Sequence, residues 1–77
     1  MTTELFNMLK TSAEADRAKA LLSLDLLGNK ATGIGDHSTE DFYKNAEEAL
    51  LLLAESQDRL EAIDIYLNDS DNKELLT

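Results

Sequence analysis

Four short stretches carry residue types whose spacing could do chemistry. Asp36 and His37 stand side by side, an imidazole next to a carboxylate, which is the pairing of a general base or of a metal ligand with its orienting partner. Just ahead of them Gly33-x-Gly35 precedes a helix start, where small residues can bring backbone amides around a phosphate. Glu55-x-x-Asp58 sets two carboxylates one helical turn apart, a spacing that suits a divalent cation. Asp69 and Asp71 begin in the alternating fashion of a calcium loop.

None of the four is complete. Nucleotide-binding glycine loops follow a β-strand within a βαβ unit, and no strand pattern exists here. Asp36, Glu40 and Asp41 also crowd the helix start that would have to attract an anion, so the glycines read as a corner before a helix cap. His37 has no Ser or Cys nucleophile identifiable around it in sequence, and a solvated or capping imidazole is its plainer role. Glu55-x-x-Asp58 resembles half of the magnesium site of the all-α nucleotide pyrophosphohydrolases, which need a second Glu-x-x-Glu pair that occurs nowhere in this chain. A solvated acidic face is what remains of it. The Asp69/Asp71 stretch lacks the glycine and the terminal glutamate of a calcium loop. The expectation is therefore a protein with no catalytic, metal-ligating or cofactor-binding residue.

Size and charge narrow the classes further. Seventy-seven residues make at most one domain, and so short a chain buries too little surface to be comfortably stable alone. There is no cysteine, and one histidine leaves few ligands for zinc, so oligomerisation is the staple left to it. Residues 1–35 balance Glu4, Glu14, Asp16 and Asp25 against Lys10, Arg17, Lys19 and Lys30. Residues 36–77 set twelve acids against Lys44, Arg59 and Lys73, which is the whole net charge of −9. That surface excludes direct binding to a nucleic-acid backbone and favours basic partners or imitation of the backbone itself. No run approaches the roughly 18 apolar residues of a membrane span, and "MTTELFNMLK" lacks the cationic start of a secretory signal; a cytoplasmic protein is expected.

The elements that must position these residues are two helices. From Thr3 to Leu27 there is neither glycine nor proline, which predicts one helix, with Thr11 and Glu14 offering a capping box at which it could restart. Gly28 is expected to end it in the left-handed conformation. A loop over 28–38 leads to "HSTED", where Ser38 or Thr39 can cap and Glu40 and Asp41 suit the helix dipole. Helix two is expected from about 39 to 68, followed by a polar tail over 69–77.

Both helices are apolar over more than one face. On helix one, Phe6, Leu9, Ala13, Ala20, Leu24 and Leu27 form one stripe and Met8, Ala15, Leu22 and Leu26 another. On helix two, Phe42, Ala46, Ala49, Leu53, Ser56, Leu60, Ile63 and Leu67 alternate steps of four and three, the seam of left-handed bundle packing. Tyr43, Leu50 and Gln57 widen that seam on one side and Leu52 on the other. The fold expected is all-α: two long antiparallel helices in a hairpin, dimerising into a four-helix bundle so that both arcs are covered.

The surface left over is the candidate for function. Leu51, Ala62, Ile65 and Tyr66 sit among the acids of helix two, beside Glu55 and Asp58, and Ile34 stands apolar in the loop. Ala31 to Thr39, "ATGIGDHST", resembles the GIGDN and GIGDNS segments of small uncharacterised bacteriophage and prophage proteins, where a polar turn precedes a helix. The resemblance implies a phage or mobile-element accessory protein working in the host cytoplasm, and no site residue. Four readings stand: a protein-interaction module that occupies a host protein, a DNA mimic, a degenerate nucleotide pyrophosphohydrolase, and a structural or assembly component.

Overall fold

A computed structural model describes residues 2–29 and 39–68, and among these the chain is all-helical. Helix α1 runs Thr3–Asn29 and helix α2 runs Thr39–Ala62, prolonged without a break by a π-helical turn, Ile63–Leu67. The two helices pack against each other as an antiparallel hairpin. Asp16 lies against Arg59, Ser23 to Leu27 face Asn45 to Leu52, and Phe6 and Lys10 face Leu60 to Asn68.

Each helix starts for a local reason. Thr2 caps α1: the Leu5 amide donates to Thr2 Oγ1 at 3.3 Å, and the Phe6 amide donates to the Thr2 carbonyl at 3.0 Å. Thr39 is already the first helical residue of α2, with Glu40 and Asp41 in the turn where the positive end of the helix dipole favours them. The Ser38 cap lies outside the described residues.

The seams expected from the sequence are the ones that meet. All eight seam residues of α2 are buried or half-buried, and so are Phe6, Leu9, Ala13, Ala20, Leu24 and Leu27 on α1. Within that interface the buried apolar residues are three alanines and Ile63. Ala13, Ala20 and Ala49 are buried, while the leucines and phenylalanines beside them are only half-covered. Where backbones approach closely a methyl group is sealed between them; a long side chain at the edge of a two-layer hairpin has no third layer above it. Ser56 belongs to the sealed set, with 0% exposure. Its hydroxyl donates to the Leu53 carbonyl at 3.1 Å, which satisfies the polar group inside its own helix.

Two details of helix one differ from expectation or decide it. The Thr11/Glu14 box does not interrupt the helix, which is continuous from Thr3 to Asn29. Gly28 does not stop it: no described residue has a positive φ, and the helix runs through the glycine to Asn29. A glycine one residue from a helix end costs about 1 kcal/mol relative to alanine, too little to terminate a helix. A left-handed residue is required only where the chain reverses at once after the last turn. The expectations for Ile34, for the glycines at 33 and 35, for Asp36 and His37, and for Asp69 and Asp71 lie outside the described residues.

Candidate interaction surfaces

Three surfaces of the hairpin carry exposed apolar side chains, and each is fixed by helical register. The first is the outer face of α2. Leu51, Glu55, Asp58, Ala62 and Ile65 follow steps of four, three, four and three, so one face holds them all, and every one is exposed. Leu51 and Tyr66 are 59% and 72% exposed. These residues do not form one apolar patch. Leu51 is separated from Ile65 by roughly 21 Å of helix rise. Glu55 and Asp58 stand between them, so the face is two apolar spots bridged by carboxylates. The π-helical turn holds Ile65 and Tyr66, and its last residue gives way to an extended Asn68 whose side-chain Nδ2 donates to Asp64 Oδ1 at 3.5 Å.

The second surface is the other stripe of α1. Met8, Ala15, Leu22 and Leu26 are all exposed, and Leu5, which the stripe read from sequence does not include, joins them at a step of three before Met8. Ser12 and Lys19 fill the remaining places. The open face then repeats at alternating three and four residues from Leu5 to Leu26, a second heptad seam on the same helix. Its signal in the sequence is the row of Leu5, Ser12, Lys19 and Leu26 at intervals of seven, which two polar members disguise. A shallow groove of about 470 Å³ opens beside its end, lined by Ser23, Leu26 and Leu27 from α1 and Asn45, Glu48, Ala49 and Leu52 from α2.

The third surface is smaller and flanks the opposite side of the hairpin. Leu21 of α1 and Tyr43 and Leu50 of α2 are exposed there; Tyr43 and Phe42 meet edge-on with ring centroids 6.0 Å apart. Leu21 does not stand out in the sequence because helical register places it among Lys10, Glu14, Arg17 and Asp25, the polar side of α1.

Polar chemistry is concentrated at one crossing between the helices. Arg59 Nη2 donates to Asp16 Oδ2 at 2.6 Å, and Lys19 Nζ lies 3.8 Å from Asp16 Oδ1. The hydrogen bond from Arg59 holds the Asp16 carboxyl below its ordinary range, against a smaller opposing effect of desolvation, and the charges of Arg59 and Lys19 reinforce it. This pair links α1 to α2 across the hairpin and lines neither the groove beside Leu26 nor the small cleft between Phe6 and Leu60. Among the described residues no three His, Cys, Asp or Glu side chains come together as a metal site, and Glu55 and Asp58 have no third ligand beside them. No described helix is long and apolar enough to cross a membrane.

Fold and surfaces together define an all-α hairpin whose features are open apolar faces and an acidic rim. Neither a protein-family model, nor a curated protein, nor a solved structure matches the chain.

Proposed function

We propose that this chain is a small acidic protein-interaction module, a phage or prophage accessory factor that occupies a host protein. One observation carries the reading: the hairpin is half of a core. Among the described residues four apolar ones are buried, three of them alanines, while ten large apolar side chains are at least 44% exposed. Covering one such half-exposed side chain gains on the order of 1 kcal/mol, so a hairpin that presents ten of them is built to meet other surfaces. Self-association into a four-helix bundle takes up part of that surface, and the outer face of α2 is left for a different partner. The resemblance of Ala31–Thr39 to phage and prophage segments supports the host-directed part of the reading.

The outer face suits a basic partner with apolar pockets on either side of its charges. Capture from cells of the native host tests this, with wild type compared against Leu51→Lys/Ile65→Lys. A partner retained by wild type and lost by a folded double variant is the expected result; identical capture by both removes this face from the function.

A second reading rests on charge. All eight acids of α2 and its π turn are exposed, against two bases, and such an array is what a DNA mimic presents to a basic groove. Salt and duplex DNA separate the readings. A mimic's complex dissociates at molar salt and is displaced by duplex DNA; an interface anchored by Leu51 and Ile65 survives both.

A further inference from the structure

We propose that the open seam of α1, from Leu5 to Leu26, is where a second copy of this chain docks, with the two α1 helices antiparallel about a twofold axis beside Ala15. The inference deepens the reading of the hairpin as half of a core and rests on it. What it adds is the face, the direction and the symmetry.

The first argument is self-complementarity. An antiparallel overlay of the seam on itself at Ala15 sets Leu5 against the second copy's Leu26 and Met8 against its Leu22. Large apolar side chains meet large ones at both ends, and small ones meet at the centre, where Ala15 and Ser12 allow the backbones to come close. A twofold interface must match itself in this way. A parallel overlay fails at one position, because it places Lys19 on Lys19 within the seam. The antiparallel overlay places Lys19 opposite Ser12, where a long cation can reach past a short side chain to solvent. A single polar residue in a heptad seam is a device that selects one register and direction.

The second argument is charge. Helix α1 carries four acids against three bases, whereas α2 with its π turn carries eight acids against two. Copies meeting through the outer faces of α2 would bring like charges together along the whole contact. Copies meeting through α1 bring together nearly neutral surfaces and leave the acidic faces pointing away from each other. The third argument is shape. The groove between Leu26 and Leu52 opens at the end of the seam, and the antiparallel overlay delivers the second copy's Leu5 to that place.

The chain contains no cysteine, so single cysteines report the arrangement directly. Ala15→Cys should form a disulfide-linked dimer under mild oxidation, because residues at the axis come within the ordinary disulfide span. Leu26→Cys should not link to itself, since the overlay separates the two copies by roughly 32 Å along the helices. It should link to Leu5→Cys when the two variants are mixed. Leu51→Cys should stay monomeric on denaturing gels. Sedimentation equilibrium should show a dimer for wild type and for Leu50→Glu, and a dissociation constant raised at least about 100-fold for Leu22→Glu. If Leu22→Glu fails to fold, the cysteine pattern decides.

The outcomes separate the inference from the reading beneath it. A fully helical wild-type monomer at micromolar concentration overturns both. A wild-type dimer in which Leu26→Cys links to itself as readily as Ala15→Cys overturns the antiparallel arrangement. A dimer broken by Leu50→Glu and untouched by Leu22→Glu moves the interface to the Leu21, Tyr43 and Leu50 flank, overturning the proposal while the half-core reading survives.

Discussion

Helix α1 carries two apolar seams, one covered and one open, and their compositions are nearly alike. The covered seam sets Phe6, Leu9, Leu24 and Leu27 at its ends and Ala13 and Ala20 in its middle. The open seam sets Leu5, Met8, Leu22 and Leu26 at its ends and Ser12, Ala15 and Lys19 in its middle. What distinguishes them is the partner. Helix α2 offers a complementary run of steps of four and three with Ala49 and Ser56 where the backbones approach, and its remaining face is mostly acid. Whether an apolar stripe ends up as core or as interface is thus decided by whether the same chain supplies a matching wall.

The sharpest way to break this comparison is to charge the wall. Leu53 lies in the α2 seam against the covered stripe, and Leu53→Asp replaces half-buried hydrocarbon with a carboxylate between the helices. Lost burial of a half-covered leucine costs about 1–1.5 kcal/mol, and desolvating the charge costs at least as much again. A chain of this size has a total stability of only a few kcal/mol. Most of the far-ultraviolet helical signal should disappear. The same substitution two residues earlier, Leu51→Asp, falls on the outer face and should change stability by no more than about 0.5 kcal/mol. Equal loss of helix in both variants would show that the two faces of α2 are not different in kind.

Much of this architecture is readable from residue spacing, and the unread parts have a common cause. The seams of Phe6 to Leu27 and of Phe42 to Leu67 are legible because helical periodicity survives over many turns and each side chain reports the same face. Helix starts are legible because capping chemistry is local, although the cap of α1 is Thr2, one residue before the expected start. Gly28 misleads because a glycine's signal is permissive: it allows a left-handed stop without imposing one. Leu5 falls between the two stripes of α1, where the edge of each depends on the neighbouring helix, and Leu21 is masked by the polar residues Lys10, Glu14, Arg17 and Asp25 that share its side. The ion pair of Asp16 and Arg59 joins residues 43 apart and follows from the pairing register alone. Function is least legible for a related reason. A catalytic site announces itself by chemistry, whereas an interaction face is complementary to a molecule outside the chain.

A smaller effect tests the end of α1 and through it the open seam, whose last residue is Leu26. Gly28 is helical, has no positive φ, and a Cβ added there meets nothing within 4 Å. Gly28→Ala should therefore raise stability by about 0.5–1 kcal/mol, through better helix propensity and a less flexible unfolded chain. Thermal or urea unfolding measures it at constant protein concentration, so that association does not contribute to the shift. A loss of stability would mean that the glycine is needed as a stop after all.

The smallest effect concerns the ion pair that crosses between the covered seam's helices. Asp16 accepts from Arg59 at 2.6 Å, and both side chains are partly exposed, at 26% and 47%, so solvent screens the pair. Because the folded-state carboxyl titrates below its ordinary value near 3.8, the link stabilises the hairpin fully above that pH and is lost as the pH falls through the lower, folded-state value. Acidification also neutralises the crowded carboxylates of α2 and relieves their repulsion, which acts in the opposite direction. Asp16→Asn isolates the first effect, because it removes one titrating group and leaves the acidic face intact. The urea midpoint of wild type should exceed that of Asp16→Asn at neutral pH, and the gap should close as the pH falls below about 4 and through the lowered folded-state value. A gap that persists unchanged through that acidification would mean that the advantage of wild type does not come from the ionised carboxylate, so that the pairing of α1 with α2 at this crossing rests on packing and not on charge.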